Sequence, residues 1–130
     1  NHGAMLEPLG KVYAGLREEL EAHIMKEERV LFPLIESMEA AREAGHEPGP
    51  AHCGSVNNPI RVMVHEHDSA GNALARMREI TSNYALPEDA CNTFRALWFE
   101  LQELERDLHR HIHLENNVLF RRAAKLETGQ

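Results

Sequence analysis

Cysteine is scarce: Cys53 and Cys91 are the only two in 130 residues, too few for a disulfide framework. The reading that follows is a reducing, cytoplasmic setting. Basic residues are also short. Fourteen Lys and Arg face 21 Asp and Glu, a formal net charge of -7, so there is no electrostatic footprint for a phosphate backbone and no nucleic-acid partner is expected. No apolar run approaches the ~20 residues of a membrane span, and no membrane partner is expected either. The opening NHGAMLEPLG lacks the basic-then-apolar pattern of a secretory leader. Strand-like alternation and internal repeats are missing as well. What remains, 42% apolar and 27% charged residues, is the composition of one globular domain rather than of disorder.

Histidine is in excess. The chain has nine, where ordinary usage would give roughly three. Their placement follows from three long helical patterns. The first is expected from about Pro8 to Glu43, with Pro8 in the first turn and a kink or short break at Pro33. Its stripe is Leu9, Val12, Leu16, Leu20, Ile24, Leu31, Leu34 and Met38, at helical spacing. A Gly- and Pro-rich loop follows from Ala44 to Asn57. The second helix is expected from Asn58-Pro59 to near Thr81–Tyr84, with Ile60, Met63, Val64, Ala70, Leu74, Met77 and Ile80 inward. The third is expected from Pro87-Glu88-Asp89, with its acidic pair at the positive end of the helix dipole, to about Leu126. Its stripe is Phe94, Leu97, Leu101, Leu104, Leu108, Val118 and Leu119. Long amphipathic helices with short connections imply an all-α antiparallel bundle.

Each stripe is interrupted by particular polar residues. The first carries His23 and Glu27, the second His67, the third His111 and Glu115. Residues four apart lie one turn apart on the same face, so each His-x-x-x-Glu pair directs an imidazole and a carboxylate into one volume. A single core histidine is ordinarily structural. Buried glutamates are costly unless paired or metal-bound, and five such residues on the inner faces of three helices favour a buried metal cluster over an incidental polar network. His65, His109 and His113 act as a control. At ~100° per residue, His65 lies about 160° from His67, and His109 and His113 lie about 160° from His111, so all three should face solvent. His46, His52 and Cys53 read as loop residues, and Cys91 as a half-buried structural cysteine. Imidazoles and carboxylates are too many for one tetrahedral zinc. They suit a pair of iron or manganese ions joined by an oxygen atom. The Glu-x-x-His spacing of ferritin-like bundles is not the pattern here.

At this point the chain resembles the hemerythrin-like di-iron proteins of the repair of iron centres family. The resemblance rests on EELEAHIMKEERVLFP (Glu18 to Pro33), NPIRVMVHEHDSAG (Asn58 to Gly71) and DLHRHIHLENNVLF (Asp107 to Phe120), with PEDAC before the last helix. It implies a hemerythrin-like four-helix bundle, three of whose long helices lie in residues 1–130. It also implies two non-haem iron ions, oxo- or hydroxo-bridged, for which manganese or zinc could substitute. His23, His67 and His111 would be terminal ligands, and Glu27 and Glu115 would bridge. Asn1-His2-Gly3 resembles the family's VHG-like segment, which makes His2 a sixth ligand. Three things depart from the family pattern: its first bundle helix with a further ligand histidine, its N-terminal cysteine domain, and the proline after LF, where Arg121 stands. The implied function is repair of iron–sulfur clusters damaged by nitric oxide or oxidants, with damaged iron–sulfur proteins as partners. The alternatives are a dioxygen- or NO-binding module and a metal-free interaction bundle. Three stripes wide enough for a four-helix core imply an apolar seam, which a second copy would cover as a two-fold homodimer.

Overall fold

The computed structural model describes residues 3–49 and 54–129. Among the described residues, three rods make up the bundle. The first is helix α1 (Gly3–Lys26), a π-helical turn (Glu27–Leu31) and α2 (Phe32–Glu43). The second is α3 (Asn57–Ile80). The third is α4 (Asn92–Leu114), a second π-helical turn (Glu115–Leu119) and α5 (Phe120–Thr128). No strand occurs among the described residues, and no helix there is long and apolar enough to cross a membrane.

The first and third rods run parallel, with α3 antiparallel to both. At one end Leu9 and Leu16 of α1 share an apolar cluster with Leu74 and Met77 of α3 and with Phe94, Trp98 and Leu101 of α4. At the other end Leu31 and Met38 meet Val56, Met63, Phe120 and Ala123. That end is tied by Arg42, which donates to the carbonyls of Leu126 (2.8 Å) and Glu127 (3.0 Å). Glu127 in turn accepts from Ser55 Oγ (2.6 Å) and from the Val56 amide (2.7 Å). Between the two clusters lies a band of buried polar residues: His23, Glu27, His67 and Glu115.

Several boundaries differ from the periodicity reading. Helix α1 begins at Gly3, five residues before Pro8, so this proline sits inside the helix. Packing of Met5 and Leu6 against the core offsets the hydrogen bond that the proline cannot donate. The third rod begins later than expected. Pro87 to Ala90 form a turn closed by the Ala90 amide on the Pro87 carbonyl (3.1 Å). Helix α4 starts only after Cys91, whose backbone is extended, so Glu88 and Asp89 precede the dipole end rather than occupy it. Cys91 is exposed, not half-buried. Ile24, Leu97 and Val118 are exposed as well. Ile24 and Leu97 line an apolar groove between α1 and α4, and Val118 is displaced by the π-helical turn.

The α3–α4 connection is strained. Ser82, Asn83 and Tyr84 all have positive φ, 53°, 60° and 61°, a left-handed run costing roughly 1–2 kcal/mol per residue. Thr81 holds it: its hydroxyl donates to the Met77 carbonyl (2.8 Å) and accepts from the Tyr84 amide (3.1 Å). Tyr84 is buried edge-on against Trp98, with ring centroids 5.6 Å apart, and the Arg78 guanidinium lies 5.1 Å above its ring. Burial pushes the Tyr84 hydroxyl above its ordinary pKa. Arg78 also meets Glu105 through both carboxylate oxygens at 2.6–2.9 Å.

Candidate metal centre

Both His-x-x-x-Glu pairs end at a π-helical turn. Glu27 and Glu115 each open one, and their carbonyls accept from the amides of Phe32 and Phe120 five residues on. The proline after the first turn is not the common cause, because Arg121 stands at the matching place after the second. The shared feature is the polar pair, and single π turns within α-helices are frequent at functional sites. The wider turn shifts the helical phase downstream. Phe120 therefore becomes a core residue in place of Val118 and stacks on the His67 ring, with centroids 5.7 Å apart.

The side chains converge. His23 Nε2 lies 2.6 Å from Glu27 Oε1 and 3.4 Å from Glu115 Oε1. His67 Nε2 lies 2.8 Å from Glu115 Oε1. His111 Nε2 lies 3.2 Å from Glu115 Oε2 and 3.7 Å from Glu27 Oε1. One ligand atom from each of His23, Glu27, His111 and Glu115 falls within 4.8 Å of all the others, and His67 joins them through Glu115. Unlike the other four, His111 is not buried. Its side chain is 50% exposed, because it opens onto the groove between α1 and α4. His65, His109 and His113 face solvent, as their helical phase requires. His46 is exposed. His2, His52 and Cys53 lie outside the described residues.

The electrostatics are those of an anionic site closed around protons. Burial pulls the His23 pKa down, but the carboxylates of Glu115, Glu27 and Glu66 around the ring outweigh it and lift the imidazole to about 10. Glu27 is raised, by burial first and then by the neighbouring Glu115. Burial also acts to raise Glu115, yet His23 and His67 overcome this and hold it below the usual carboxylate range. The donor set fits a cation. Glu27 Oε1 is buried with no directed hydrogen bond despite its nearness to His23. An oxygen in that condition is costly unless a cation meets it. Binding a metal requires the His23 proton to leave.

Sequence reasoning missed two residues. Glu66 Oε1 lies 2.9 Å from His23 Nδ1, and Asn116 Oδ1 lies 2.8 Å from His67 Nδ1. Each is the chain neighbour of a site residue but serves a residue on another rod, 43 and 49 positions away. Helical periodicity carries no signal for such pairs.

A helical bundle whose rods aim histidines and glutamates into one buried volume defines a cation-binding bundle. The profile of the hemerythrin HHE cation binding domain matches residues 1–123, and the chain belongs to that family. It is 48% identical over 115 residues to the iron-sulfur cluster repair protein YtfE of Edwardsiella ictaluri, covering 88% of this chain and 46% of that protein. With YtfE of Pectobacterium atrosepticum the identity is 43% over 119 residues, 92% of this chain and 48% of the relative. With the iron-sulfur cluster repair protein DnrN of Neisseria gonorrhoeae it is 43% over 109 residues, 84% and 61%. The chain thus spans about half the length of the YtfE relatives it matches.

The phase argument has a direct check. His111→Leu is expected to abolish metal uptake, whereas His109→Leu and His113→Leu are expected to leave it unchanged. Metal content after loading and desalting measures this. Equal loss from all three would contradict the placement of His111 alone at the centre.

Proposed function

We propose that this domain holds two non-haem iron ions and serves in the repair of iron–sulfur clusters damaged by nitric oxide or oxidants. His23, His67 and His111 would be terminal ligands, Glu27 and Glu115 would bridge, and His2 would be a further ligand. The observation that carries this reading is the meeting of two His-x-x-x-Glu pairs from separate rods at one point, three of the four residues buried and His111 at its open side, in a chain whose relatives are named iron-sulfur cluster repair proteins. Imidazole and carboxylate donors suit iron or manganese better than a closed zinc site. When bound, the iron pair would supply exchangeable iron and one-electron redox chemistry. The chain supplies the hold. Glu27 and Glu115 can change which oxygen they present while His23 and His67 stay fixed, and the apolar clusters on either side keep bulk water from the buried carboxylates. Damaged iron–sulfur proteins would be the partners.

The decisive experiment incubates the iron-loaded protein with an enzyme whose cluster has been damaged by nitric oxide. Recovery of that enzyme's activity is expected with the native chain and not with Glu27→Leu or Glu115→Leu. Equal recovery with free iron alone would overturn the reading. A second reading, small-molecule binding at the centre, draws on a cavity of about 200 Å³ lined by His23, His67 and His111 together with Leu20, Leu104 and Leu108. A stable oxygenated spectrum without cluster repair would favour it.

A two-fold dimer through the groove between α1 and α4 belongs to the same proposal. Support comes from its apolar lining, in which Ile24 and Leu97 are exposed. An exposed apolar strip of this kind suits a self-complementary contact between two copies. Light scattering at micromolar concentration is expected to give twice the chain mass, and a stable monomer would contradict it.

A further inference from the structure

Glu66 does not belong to the converging donor set, yet both of its carboxylate oxygens are engaged. Oε1 accepts from His23 Nδ1 at 2.9 Å, and Oε2 is ion-paired with Lys26. His23 and Lys26 are three apart on α1 and so share a face. They bracket the carboxylate that α3 presents to them. With Nδ1 committed to Glu66, the nitrogen left facing the buried glutamates is Nε2, at 2.6 Å from Glu27 and 3.4 Å from Glu115. The same division of labour occurs at His67. Its Nδ1 meets Asn116 Oδ1 at 2.8 Å and its Nε2 meets Glu115 at 2.8 Å. The two rings thus have the same tautomer set from behind, one by an anion and one by a neutral amide. Which imidazole nitrogen is free for a metal is decided by the hydrogen bond at the other.

We infer that Glu66 is a positioning residue for the metal centre: its carboxylate accepts the Nδ1 proton of His23, fixes the ring, and reserves Nε2 for the metal. This rests on the metal-centre reading above. It departs from two simpler roles for Glu66, a surface ion pair with Lys26 and a direct metal ligand. A surface pair would matter little. A direct ligand would take a metal equivalent with it when removed. A positioning carboxylate should change affinity and ligand geometry while leaving the stoichiometry intact.

The test titrates the native chain and its Glu66→Ala, Glu66→Gln and Lys26→Ala variants with Co²⁺ and, anaerobically, with Fe²⁺. Native protein is measured first. Failure to take up two equivalents there is a failure of the di-iron reading, separate from anything the variants show. Given two equivalents, Glu66→Ala is expected to retain both but to bind them roughly 10–100-fold more weakly, the range for lost outer partners of metal-bound histidines. Its Co²⁺ absorption bands should shift. Glu66→Gln should restore the native bands and most of the affinity, because its amide oxygen can accept the same Nδ1 proton. Lys26→Ala should stay within about threefold of native, since an exposed ion pair contributes little. Native affinity and bands in Glu66→Ala would reduce Glu66 to a surface ion pair. Loss of one equivalent would make it a ligand. A glutamine variant as weak as alanine, with unchanged helix content, would show that charge acts rather than orientation. Each of these three results overturns the inference.

Discussion

Glu115→Leu is expected to weaken metal binding by more than about 100-fold, beyond the range for lost outer partners. Glu115 is the hub of the centre. Its carboxylate lies 2.8 Å from His67, 3.2 Å from His111 and 3.4 Å from His23, so all three histidines approach it. Leucine fills similar space but offers no donor atom. Glu115→Gln keeps one oxygen and should fall between the two. Titration with Fe²⁺ or Co²⁺ measures the loss, and native-like affinity in the leucine variant would remove Glu115 from the centre. Without metal the proteins should also differ in their response to pH. The His23 pKa is raised from 6.5 to about 10. A raised folded-state pKa contributes stability that is fully present below 6.5 and is lost as pH climbs toward 10. Burial opposes the rise, and the Glu115 hydrogen bond is the strongest influence in its favour. Urea melts of the metal-free native protein should therefore weaken between pH 6.5 and 10, and those of Glu115→Leu should weaken less.

Trp98→Ala is expected to produce the largest loss of stability, about 3–5 kcal/mol, as for other buried aromatic truncations. Trp98 is 1% exposed and packs against Tyr84 and Phe94, with centroids 5.6 and 4.5 Å away. Its indole N–H donates to the Ala85 carbonyl at 3.2 Å, immediately after the left-handed run. The same substitution thus opens a cavity and removes a brace from the strained turn. Against a total of about 5–15 kcal/mol, the shift in Tm should be on the order of 10–25 °C, a few degrees per kcal/mol in a domain this size. The neighbouring Phe99, 61% exposed, is the control: Phe99→Ala should stay within about 0.5 kcal/mol. Calorimetry or urea melts decide it, and a loss under about 1 kcal/mol for Trp98→Ala would show that the turn and cluster do not depend on the indole.

The sequence by itself determined the all-α architecture, the helical phase of the site and the outward direction of its decoys. His23 with Glu27 and His111 with Glu115 share a face because four residues nearly complete a turn, and the same arithmetic turned His65, His109 and His113 to solvent. These are local relations, and local periodicity encodes them. The tertiary structure decided the rest. The π turns at Glu27 and Glu115 have no propensity signature, and proline at 33 but not at 121 shows that residue type alone does not make them. They moved the inner face from Val118 to Phe120. The start of α4 after Cys91, the burial of Tyr84 beneath Arg78, and the service of Glu66 and Asn116 to histidines on other rods all depend on partners far away in the chain. Such pairings exist only once the rods have packed, because no spacing within one helix specifies what a neighbouring helix will present.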